Sequence, residues 1–555
     1  MEDQPMASSS DALSEFIRAV QNLEPLDIAN EGDARLYVPN LQGGGRDALA
    51  RLKAEINHRI DAGVYLFTGQ IGSGKSTELL RLRAQLQGPT CKVYYCDLED
   101  WLNLNASIDL ASFLLALIAA WVEAIGTNVA QRTPVQRLID FLTRTQISLE
   151  GIKLEAGLPE VKAQLQLALK TDAGFRARLE ATLKSNVGSF VNQAHRFVAE
   201  LVSEICAQNE KCVLIAESLE KIRGYGDEAN KVYESVQEIF LSEGRALRLP
   251  SVHVVYSVSP FLLAQNPQLP SILGQGVVVN MPSVHVFKKR SNELDGAGVE
   301  QMTALLARRY PQWSNLIPTD LLASLIRDSG GDLRDYLRAV KVVLLELEAS
   351  PESAPQEVLD VVRSQISPPR LIPSAHIAWM ARLERSHEAE LDDKIDSMTF
   401  QRYLATKHVL AYLNADAWYA IHPLLREWCW GDPRRRYRAR HPATMLDRAA
   451  KRAHESRSGA LSTAATSSAR PASPRRFRLD LSFQRLPTGK SVACKGVGRA
   501  LARALALPAA PATKQCGAEP ARCCATVAER QRSGRAHALL VGAERAGSLV
   551  GCLPR

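Results

Sequence analysis

The sequence predicts an α/β fold in which a parallel sheet is covered by helices on both faces. Short, largely apolar runs of strand length alternate with segments of helix length, which is the order that a parallel sheet requires. The first run, residues 64–68, leads into a glycine-rich turn and then into a helical pattern. After residue 297 the pattern becomes helical only, so we expect helical units to follow the sheet.

The N-terminal 35 residues read as a polar lead followed by an amphipathic helix. Apolar side chains recur there at helical spacing, at Phe16, Ile17, Val20 and Leu23. A second helix is predicted over residues 47–62, just before the first strand. The chain is therefore expected to open with a helical lead, residues 1–35, that precedes the sheet domain.

Five strands are predicted for the sheet. They are the apolar runs at residues 64–68, 92–97, 212–216, 252–257 and 277–286, the last of which contains Pro282. The long stretch between the second and third strands, residues 133–210, is mostly helical in pattern and is predicted to be an insert. Residues 36–296 therefore form the predicted core domain.

Three further segments follow the core. Residues 297–350 are helical and are predicted to form a lid. A proline-containing linker leads to residues 356–430, where helices end in a hairpin signal at 409–421, an arrangement typical of a winged-helix-like domain. Residues 431–555 are rich in Ala, Ser, Pro and Arg and poor in aromatic residues, which predicts a disordered tail.

The charge is distributed unevenly along the chain. The formal net charge is +8, but residues 431–555 hold 25 of the 68 basic side chains and only 7 of the 60 acidic ones. The rest of the chain is acidic. Only the basic tail is therefore an electrostatic candidate for contact with nucleic acid or anionic lipid.

Composition also indicates a compartment. Hydrophobic residues make up 46% and charged residues 23% of the chain, values typical of a globular domain. The longest apolar helical stretch, residues 110–122, is shorter than the roughly 20 residues that span a bilayer. The N-terminus has no signal-peptide pattern. We expect a cytoplasmic protein without a membrane partner, and the ten cysteines show no zinc-ligand spacing.

The glycine-rich turn matches a phosphate-binding motif in full. Residues 69–76 read G-Q-I-G-S-G-K-S, which fits G-x-x-x-x-G-K-[ST] between a strand and a helix. Backbone N–H groups of such a loop surround phosphates, and the lysine and the final hydroxyl bind phosphate and Mg²⁺. The predicted nucleotide-binding residues are Gly69, Gln70, Ile71, Gly72, Ser73, Gly74, Lys75, Ser76 and Thr77.

A protein with such a loop also needs an acidic residue that holds Mg²⁺ and a polar or acidic group that positions the attacking water. The strand at residues 212–216 runs into Glu217 and Glu220. We predict that Glu217 and Ser76 bind Mg²⁺ and that Glu220 is the base. The alternative is a strand that leads into a solvated, charged turn. Glutamate stands at position 217, where an ATPase with this kind of phosphate-binding loop usually has aspartate. The longer side chain shifts the carboxylate, which predicts slow hydrolysis.

Two further residues are candidates for contact with the γ-phosphate. Ser257 ends another strand, although a turn residue explains it equally well. Arg334 follows Gly330 and Gly331 at a helix start, where a lid arginine could reach the phosphate. The alternative places Asp332 near the positive end of the helix and Arg334 in solvent.

Taken together, these motifs resemble those of the AAA+ and STAND ATPases over residues 36–345. The motif around residues 66–79 looks like that of bacterial ATP-binding proteins whose roles are mostly unassigned. The resemblance implies that Ser257 acts as sensor 1, that Arg334 acts as sensor 2, and that residues 37–39 lie against adenine. Several members, including origin-recognition ATPases, carry a winged-helix unit. The resemblance identifies no arginine finger, although Arg308 and Arg309 are available.

The preferred hypothesis is an ATP-binding protein and slow ATPase that acts as a regulatory switch, with a protein partner or self-association. The resembled class implies signalling or defence as a setting. The alternative is a DNA-associated AAA+ ATPase of the origin-binding or loader kind. DNA is less favoured because residues 412–421 contain Asp416 and no Lys or Arg. A small-molecule kinase is a third possibility, but no acceptor site is visible.

Overall fold

The structure is a computed structural model that describes residues 9–41, 47–126, 134–144, 158–184, 186–222, 224, 229–274, 276–414 and 416–430. Contacts divide the chain into two units, residues 1–460 and 461–555, and every described residue belongs to the first. The tail predicted to be disordered, residues 431–555, lies outside the described residues. So do residues 43–45, three consecutive glycines that predict a turn.

The core is a five-stranded parallel sheet. Its strands are β1 (Val64–Gly69), β2 (Cys91–Asp97), β3 (Lys211–Glu217), β4 (Val252–Val258) and β5 (Val278–Met281). The order across the sheet is β2-β3-β4-β1-β5, and every neighbouring pair is parallel. The predicted α/β class is confirmed. The predicted fifth strand is too long, because Pro282, which has no N–H to donate, follows the last strand residue.

Helices cover both faces of the sheet. Within the described residues they are α3 (Ala50–His58), α4 (Lys75–Leu86), α5 (Leu110–Ile125), α10 (Ala229–Leu241), α11 (Pro260–Gln265) and α12 (Leu269–Ile272). Side chains alternate along β1, so that Tyr65 and Phe67 pack beneath α3 and α4, whereas Val64 and Leu66 belong to the opposite apolar cluster. Burial on both faces explains why the strands read as continuous apolar runs.

The predicted insert is helical where it is described. It consists of α6 (Pro134–Arg144), α7 (Leu158–Thr171), α8 (Ala173–Lys184) and α9 (Val187–Ile205). These helices pack with α5, whose own residues from Leu110 to Val122 are all buried. Among the described helices, none combines the length and the apolar character needed to cross a membrane.

The lid contains more elements than the sequence suggests. It comprises α13 (Gly296–Arg309), α14 (Thr319–Ser329) and α15 (Leu333–Ala349), and its apolar core also includes residues from α1 (Ser9–Gln21) and α16 (Pro355–Ile366). Phe16 of α1 stacks on Tyr310, with ring centroids 4.3 Å apart. The domain boundaries predicted at residues 35 and 356 separate α1 and α16 from the lid, whereas their apolar faces pack within it.

The remaining described residues form a small unit closed by a hairpin. Its elements are α17 (Ser374–Ser386), α18 (Ser397–Ala405), β6 (Val409–Asn414), β7 (Asp416–Ile421) and α19 (Pro423–Trp430), and the two strands are antiparallel. We call residues 367–430 the hairpin unit. One set of its apolar side chains forms a core of its own, and another, including Tyr412 and Trp418, belongs to the core of the lid.

Candidate functional site

The glycine-rich loop curls at the carboxyl end of β1 and rests on the turn between α14 and α15. Gly72 adopts φ = +91°, and a Cβ at this position would lie 2.3 Å from Oδ2 of Asp332. The N–H of Leu333 donates to the carbonyl of Gly72 at 3.2 Å. Both the backbone conformation and this close approach require glycine. The motif therefore fixes the loop against the lid.

The helix that follows the loop begins without a capping side chain. α4 starts at Lys75, and the residue before it, Gly74, has a left-handed conformation and supplies no side-chain hydrogen bond. The first N–H groups of a helix have no partners within the helix and carry its positive partial charge. Residues 71–77 all line a cavity in front of this helix end, so the local geometry is that of an anion cradle.

Lys75 is buried behind the cradle and is held by the loop. Its Nζ donates to the carbonyls of Gly69 at 3.1 Å and Gln70 at 3.0 Å, and lies 3.7 Å from Oε1 of Glu220. Burial lowers the pKa of Lys75, against the raising effect of the Glu220 and Glu217 carboxylates. An anion in the cavity would supply the countercharge that a buried ammonium requires.

The two predicted acids lie next to the loop. β4 separates β1 from β3, and the carboxyl ends of these parallel strands meet at the same edge of the sheet. The hydroxyl of Ser76 donates to Oε1 of Glu217, and the hydroxyl of Ser257 donates to Oε2 of Glu220 at 2.8 Å. Ser218, between the acids, adopts φ = +78°. The strand ends thus place two hydrogen-bonded pairs, Ser76–Glu217 and Ser257–Glu220, beside the loop, and Glu220 also forms an ion pair with Lys75.

Burial changes the acidity of Glu217. Desolvation and the neighbouring charge of Glu220 raise its pKa to about 7, although the bond from Ser76 and the charges of Lys221 and Lys75 oppose this shift. A cation beside the carboxylate would favour its charged form. Ser76 and Glu217 are two oxygen ligands of the type that Mg²⁺ prefers. In the described part of the chain, no group of three or more His, Cys, Asp or Glu residues is arranged to hold a metal.

The turn after α14 contributes Arg334 and Asp332. Asp332 caps α15 by accepting a hydrogen bond from the N–H of Asp335. This is the position near the positive end of the helix that the alternative interpretation predicts. Arg334, however, lines the cavity, and its charge lowers the pKa of Lys75. Asp332 thus lies where the alternative places it, and Arg334 is exposed as that alternative predicts but also lines the cavity. Its contact with the γ-phosphate stays a prediction.

The cavity has a volume of about 430 Å³, within the range of small-molecule sites. We call the wall made by residues 71–77, Glu220 and Arg334 the loop end. Another part of the wall, which we call the lid end, is mostly apolar and comes from four separate segments. It comprises Leu23, Glu24, Pro25, Leu26, Leu36, Tyr37, Val38, Leu41, Leu305, Arg309 and Leu337. Tyr37 and Val38 of the segment that resembles an adenine contact line this wall, and Tyr37 donates to Glu78 at 2.8 Å.

The predicted residues occupy three kinds of position. Ile71, Gly72, Ser73, Gly74, Lys75, Ser76, Thr77, Glu220 and Arg334 line the cavity. Glu217 and Ser257 lie behind that wall, in contact with Ser76 and Glu220. Gly69 and Gln70 hold Lys75 through their carbonyls, but the side chain of Gln70 turns away and bonds to the hairpin unit through the carbonyl of Val409 at 3.0 Å.

Sequence reasoning did not find two features of the site. Nothing in the sequence indicates that Gln70 contacts β6, since 339 positions separate it from Val409. Arg309 was considered as a finger for a neighbouring subunit, whereas it lines the cavity of its own chain. The sequence did contain a signal for the second feature. Arg309 stands four positions after Leu305, and residues at this spacing lie on the same side of a helix. Leu305 lines the same wall.

Comparisons with known proteins give low similarity. No family model matches the chain, and no curated protein matches it. Among solved structures, the Aeropyrum pernix ORC2 protein in its ADPNP–ADP complexes is 13% identical, covers 72% of this chain and 94% of its own, and has a TM-score of 0.33. CDC6P from Pyrobaculum aerophilum is 12% identical, with 71% and 94% covered and a TM-score of 0.32.

The Aeropyrum pernix ORC1 protein, solved in complex with DNA, is also similar to this chain. It is 12% identical, with 75% of this chain and 96% of its own covered, and its TM-score is 0.31. The chemistry of the site therefore rests on the contacts described above for this chain.

Proposed function

We propose that the chain is an AAA+/STAND-type P-loop protein that binds ATP with Mg²⁺ and hydrolyses it slowly as a nucleotide-dependent regulatory switch. Nucleotide binding is supported by the cradle in front of α4, by the buried Lys75, and by a cavity with one polar and one apolar end. Lys75 and Arg334 would hold phosphate oxygens, and Ser76 and Glu217 would hold the metal, which neutralises phosphate charge.

Slow hydrolysis is supported by the state of the acids. Glu220, the candidate base, has both carboxylate oxygens engaged, one near Lys75 and one with the hydroxyl of Ser257. These contacts take up part of the acceptor capacity of the carboxylate, which leaves less of it for the attacking water. The carboxylate of Glu217 also accepts a hydrogen bond from Ser76, which Mg²⁺ would have to replace.

The switch is carried by one observation: a residue of the phosphate-binding loop is hydrogen-bonded to the hairpin unit. Gln70 donates to the carbonyl of Val409 at 3.0 Å and accepts from the N–H of Ala411 at 3.1 Å. It also accepts from the hydroxyl of Ser283 at 3.0 Å. Gln70 is 5% exposed, so losing any of these bonds would leave a buried polar group unpaired.

A second contact joins the same two parts. Lys407 of the hairpin unit lies 2.8 Å from Oδ2 of Asp332 and 2.7 Å from Oδ2 of Asp335. Burial alone would lower the pKa of Lys407, but these carboxylates raise it above its ordinary value. Because Asp332 also touches Gly72, a shift of the loop or the lid turn on phosphate binding reaches the hairpin unit through both contacts.

Hydrogen exchange of the hairpin tests the switch directly. We expect saturating ATP and Mg²⁺ to change the protection of backbone amides in β6 and β7, measured by mass spectrometry. Lys75→Ala should abolish this change, because it removes the phosphate contact but none of the bonds to the hairpin. Unchanged exchange in the wild-type protein, at an ATP concentration shown to saturate the site, would contradict the switch.

A DNA-associated ATPase is the second candidate function. The observation that favours it is a set of exposed arginines on α17 and α18, Arg382, Arg385 and Arg402. Against it, Arg382 is paired with Asp392, and Tyr412 and Trp418 of the hairpin are buried in the lid core. The aromatic side chains of the hairpin are therefore committed to the lid, and its exposed residues near the turn include the acidic Asp416.

Salt-dependent DNA binding separates the two candidates. A chain ending at Trp430 retains every described residue and lacks the basic tail. If the hairpin unit binds duplex DNA, Arg385→Ala with Arg402→Ala should weaken binding and reduce its dependence on salt. The switch hypothesis expects no salt-sensitive binding by the chain ending at Trp430.

A further inference from the structure

Arg309 is the last residue of α13 and faces the lid end of the cavity. Leu305, four residues earlier and therefore on the same side of the helix, lines the same wall. Its neighbour Arg308 is exposed and does not line the cavity. The two adjacent arginines thus differ in one respect that matters for binding, which is access to the cavity.

In the part of the chain that the structure describes, the charged guanidinium of Arg309 has few hydrogen-bond acceptors and no carboxylate near it. Its Nε is buried and has no hydrogen-bond partner, and its Nη1 donates to the carbonyl of Asn22 at a long 3.4 Å. No carboxylate among the described residues lies within ion-pair distance, and only the more distant charge of Asp33 opposes the lowering of its pKa by burial. Arg309 is half-buried, and a partly desolvated cation without a carboxylate is stabilised by an acceptor that contacts it.

The position of Arg309 distinguishes between the parts of a nucleotide. At the loop end, Lys75 and Arg334 already supply positive charge to the cradle. At the lid end, Arg309 lies among apolar side chains, including Leu23, Leu305 and Val38, which suit the faces of a flat ring. The acceptors that would meet it there are the nitrogens of a nucleobase or the hydroxyls of a ribose.

We propose that Arg309 is a nucleotide-binding residue that hydrogen-bonds the nucleoside part of the ligand, the base or the ribose, and not its phosphates. This inference rests on the proposed ATP site. It makes the end of α13 a sensor of whether a nucleoside is present, whereas Lys75 responds to any polyphosphate. It also removes Arg309 as a finger for a neighbouring molecule, because the side chain is committed to its own cavity.

The proposal has a consequence for stability. Replacing Arg309 by a neutral side chain of similar length removes a partly buried charge, which has no carboxylate partner among the described residues, from the empty protein. Arg309→Met should therefore leave the thermal midpoint of the ligand-free protein unchanged or raise it. A residue whose role is to hold α13 against Asn22 would show the opposite result, a lower midpoint.

Two ligands test the proposal, ATP and inorganic tripolyphosphate, each with Mg²⁺ and measured by calorimetry on the full chain. Arg309→Met should weaken ATP on the order of tenfold, because a charge-assisted hydrogen bond is lost. It should leave tripolyphosphate affinity unchanged. Arg308→Met, the matched control, should change neither, and Lys75→Ala should weaken both.

Each other outcome is informative. ATP affinity that Arg309→Met does not alter overturns the proposal, and so does an equal loss for both ligands, which would assign Arg309 to phosphate. A lowered midpoint of the ligand-free protein with proportionate losses for all ligands would make its role structural. If the wild-type protein bound neither ATP nor tripolyphosphate, the proposed nucleotide site would fail instead.

Discussion

The two ends of the cavity differ in whether their charged groups already have partners within the protein. At the loop end the charged groups compensate one another, since Lys75 contacts two loop carbonyls and Glu220, and Glu217 accepts from Ser76. At the lid end most side chains are apolar, and Arg309 has a buried Nε without a partner. A ligand must displace existing bonds at the loop end, whereas at the lid end it supplies an acceptor that is missing.

This difference indicates where affinity and control arise. Exchanging internal bonds for phosphate bonds moves groups that are linked to the hairpin unit, through Gln70 and Asp332. Ligand contacts at the lid end involve neither Gln70 nor Asp332, since neither residue lines the cavity. We therefore expect phosphate contacts to govern the switch and nucleoside contacts to add affinity and selectivity.

The largest effect is expected at Lys75. Lys75→Ala removes the charged donor of the loop end and should weaken ATP binding roughly 100-fold, about 3 kcal/mol, as measured by calorimetry. Lys221→Ala is the control, because Lys221 also lines the cavity but pairs with Glu99, and we expect it to stay within about threefold of the wild type. ATP binding by Lys75→Ala at wild-type strength would remove the distinction between the two ends.

The next effect concerns the link to the hairpin unit. Gln70→Ala removes three hydrogen bonds inside the protein and should destabilise the folded state by roughly 2 kcal/mol, as measured by chemical denaturation of the ligand-free chain. Gln301→Ala, which loses a single bond to the carbonyl of Asn40, should cost less than about 1 kcal/mol. Equal losses in the two variants would show that the three bonds of Gln70 stabilise the fold no more than the single bond of Gln301 does.

The smallest effect is a pH dependence at Glu217. Because its pKa is raised to about 7, protons compete with Mg²⁺ below that pH, and the metal binds more strongly as pH rises. The Mg²⁺ concentration needed for half-maximal ATP binding should increase about tenfold for each pH unit below 7. Titrations at pH 6, 7 and 8 measure it. Glu217→Gln, which has no proton to lose, should keep only the weaker pH dependence that the terminal phosphate of ATP contributes. A wild-type profile equal to that of Glu217→Gln would exclude Glu217 as a ligand.

Much of the loop end was predictable from the sequence. The spacing of residues 69–76 predicts the loop and the start of α4, and acids after an apolar strand predict that Glu217 and Glu220 lie at the same sheet edge. Parallel strands place their carboxyl ends together, so short segments suffice for this inference. The position of Ser257 follows in the same way from β4.

The lid end was less predictable because it is assembled from residues far apart in the sequence. This wall forms only when α1 and α13 pack together in the lid, because it brings together residues 23–26, 36–41 and 305–337. The predicted boundaries at residues 35 and 356 missed this packing. Amphipathic periodicity shows that α1 and α16 have apolar faces, but it does not identify the surface that covers them.

The sequence by itself determined the glycine-rich loop, the strand and helix around it, and the α/β class, since these depend on contiguous residues and on local backbone geometry. The tertiary structure alone decided that Gln70 faces the hairpin unit and that Arg309 faces the cavity while Arg308 does not. The physical reason is that a side chain's surroundings depend on segments hundreds of residues away, whose burial is chosen by packing of the whole chain.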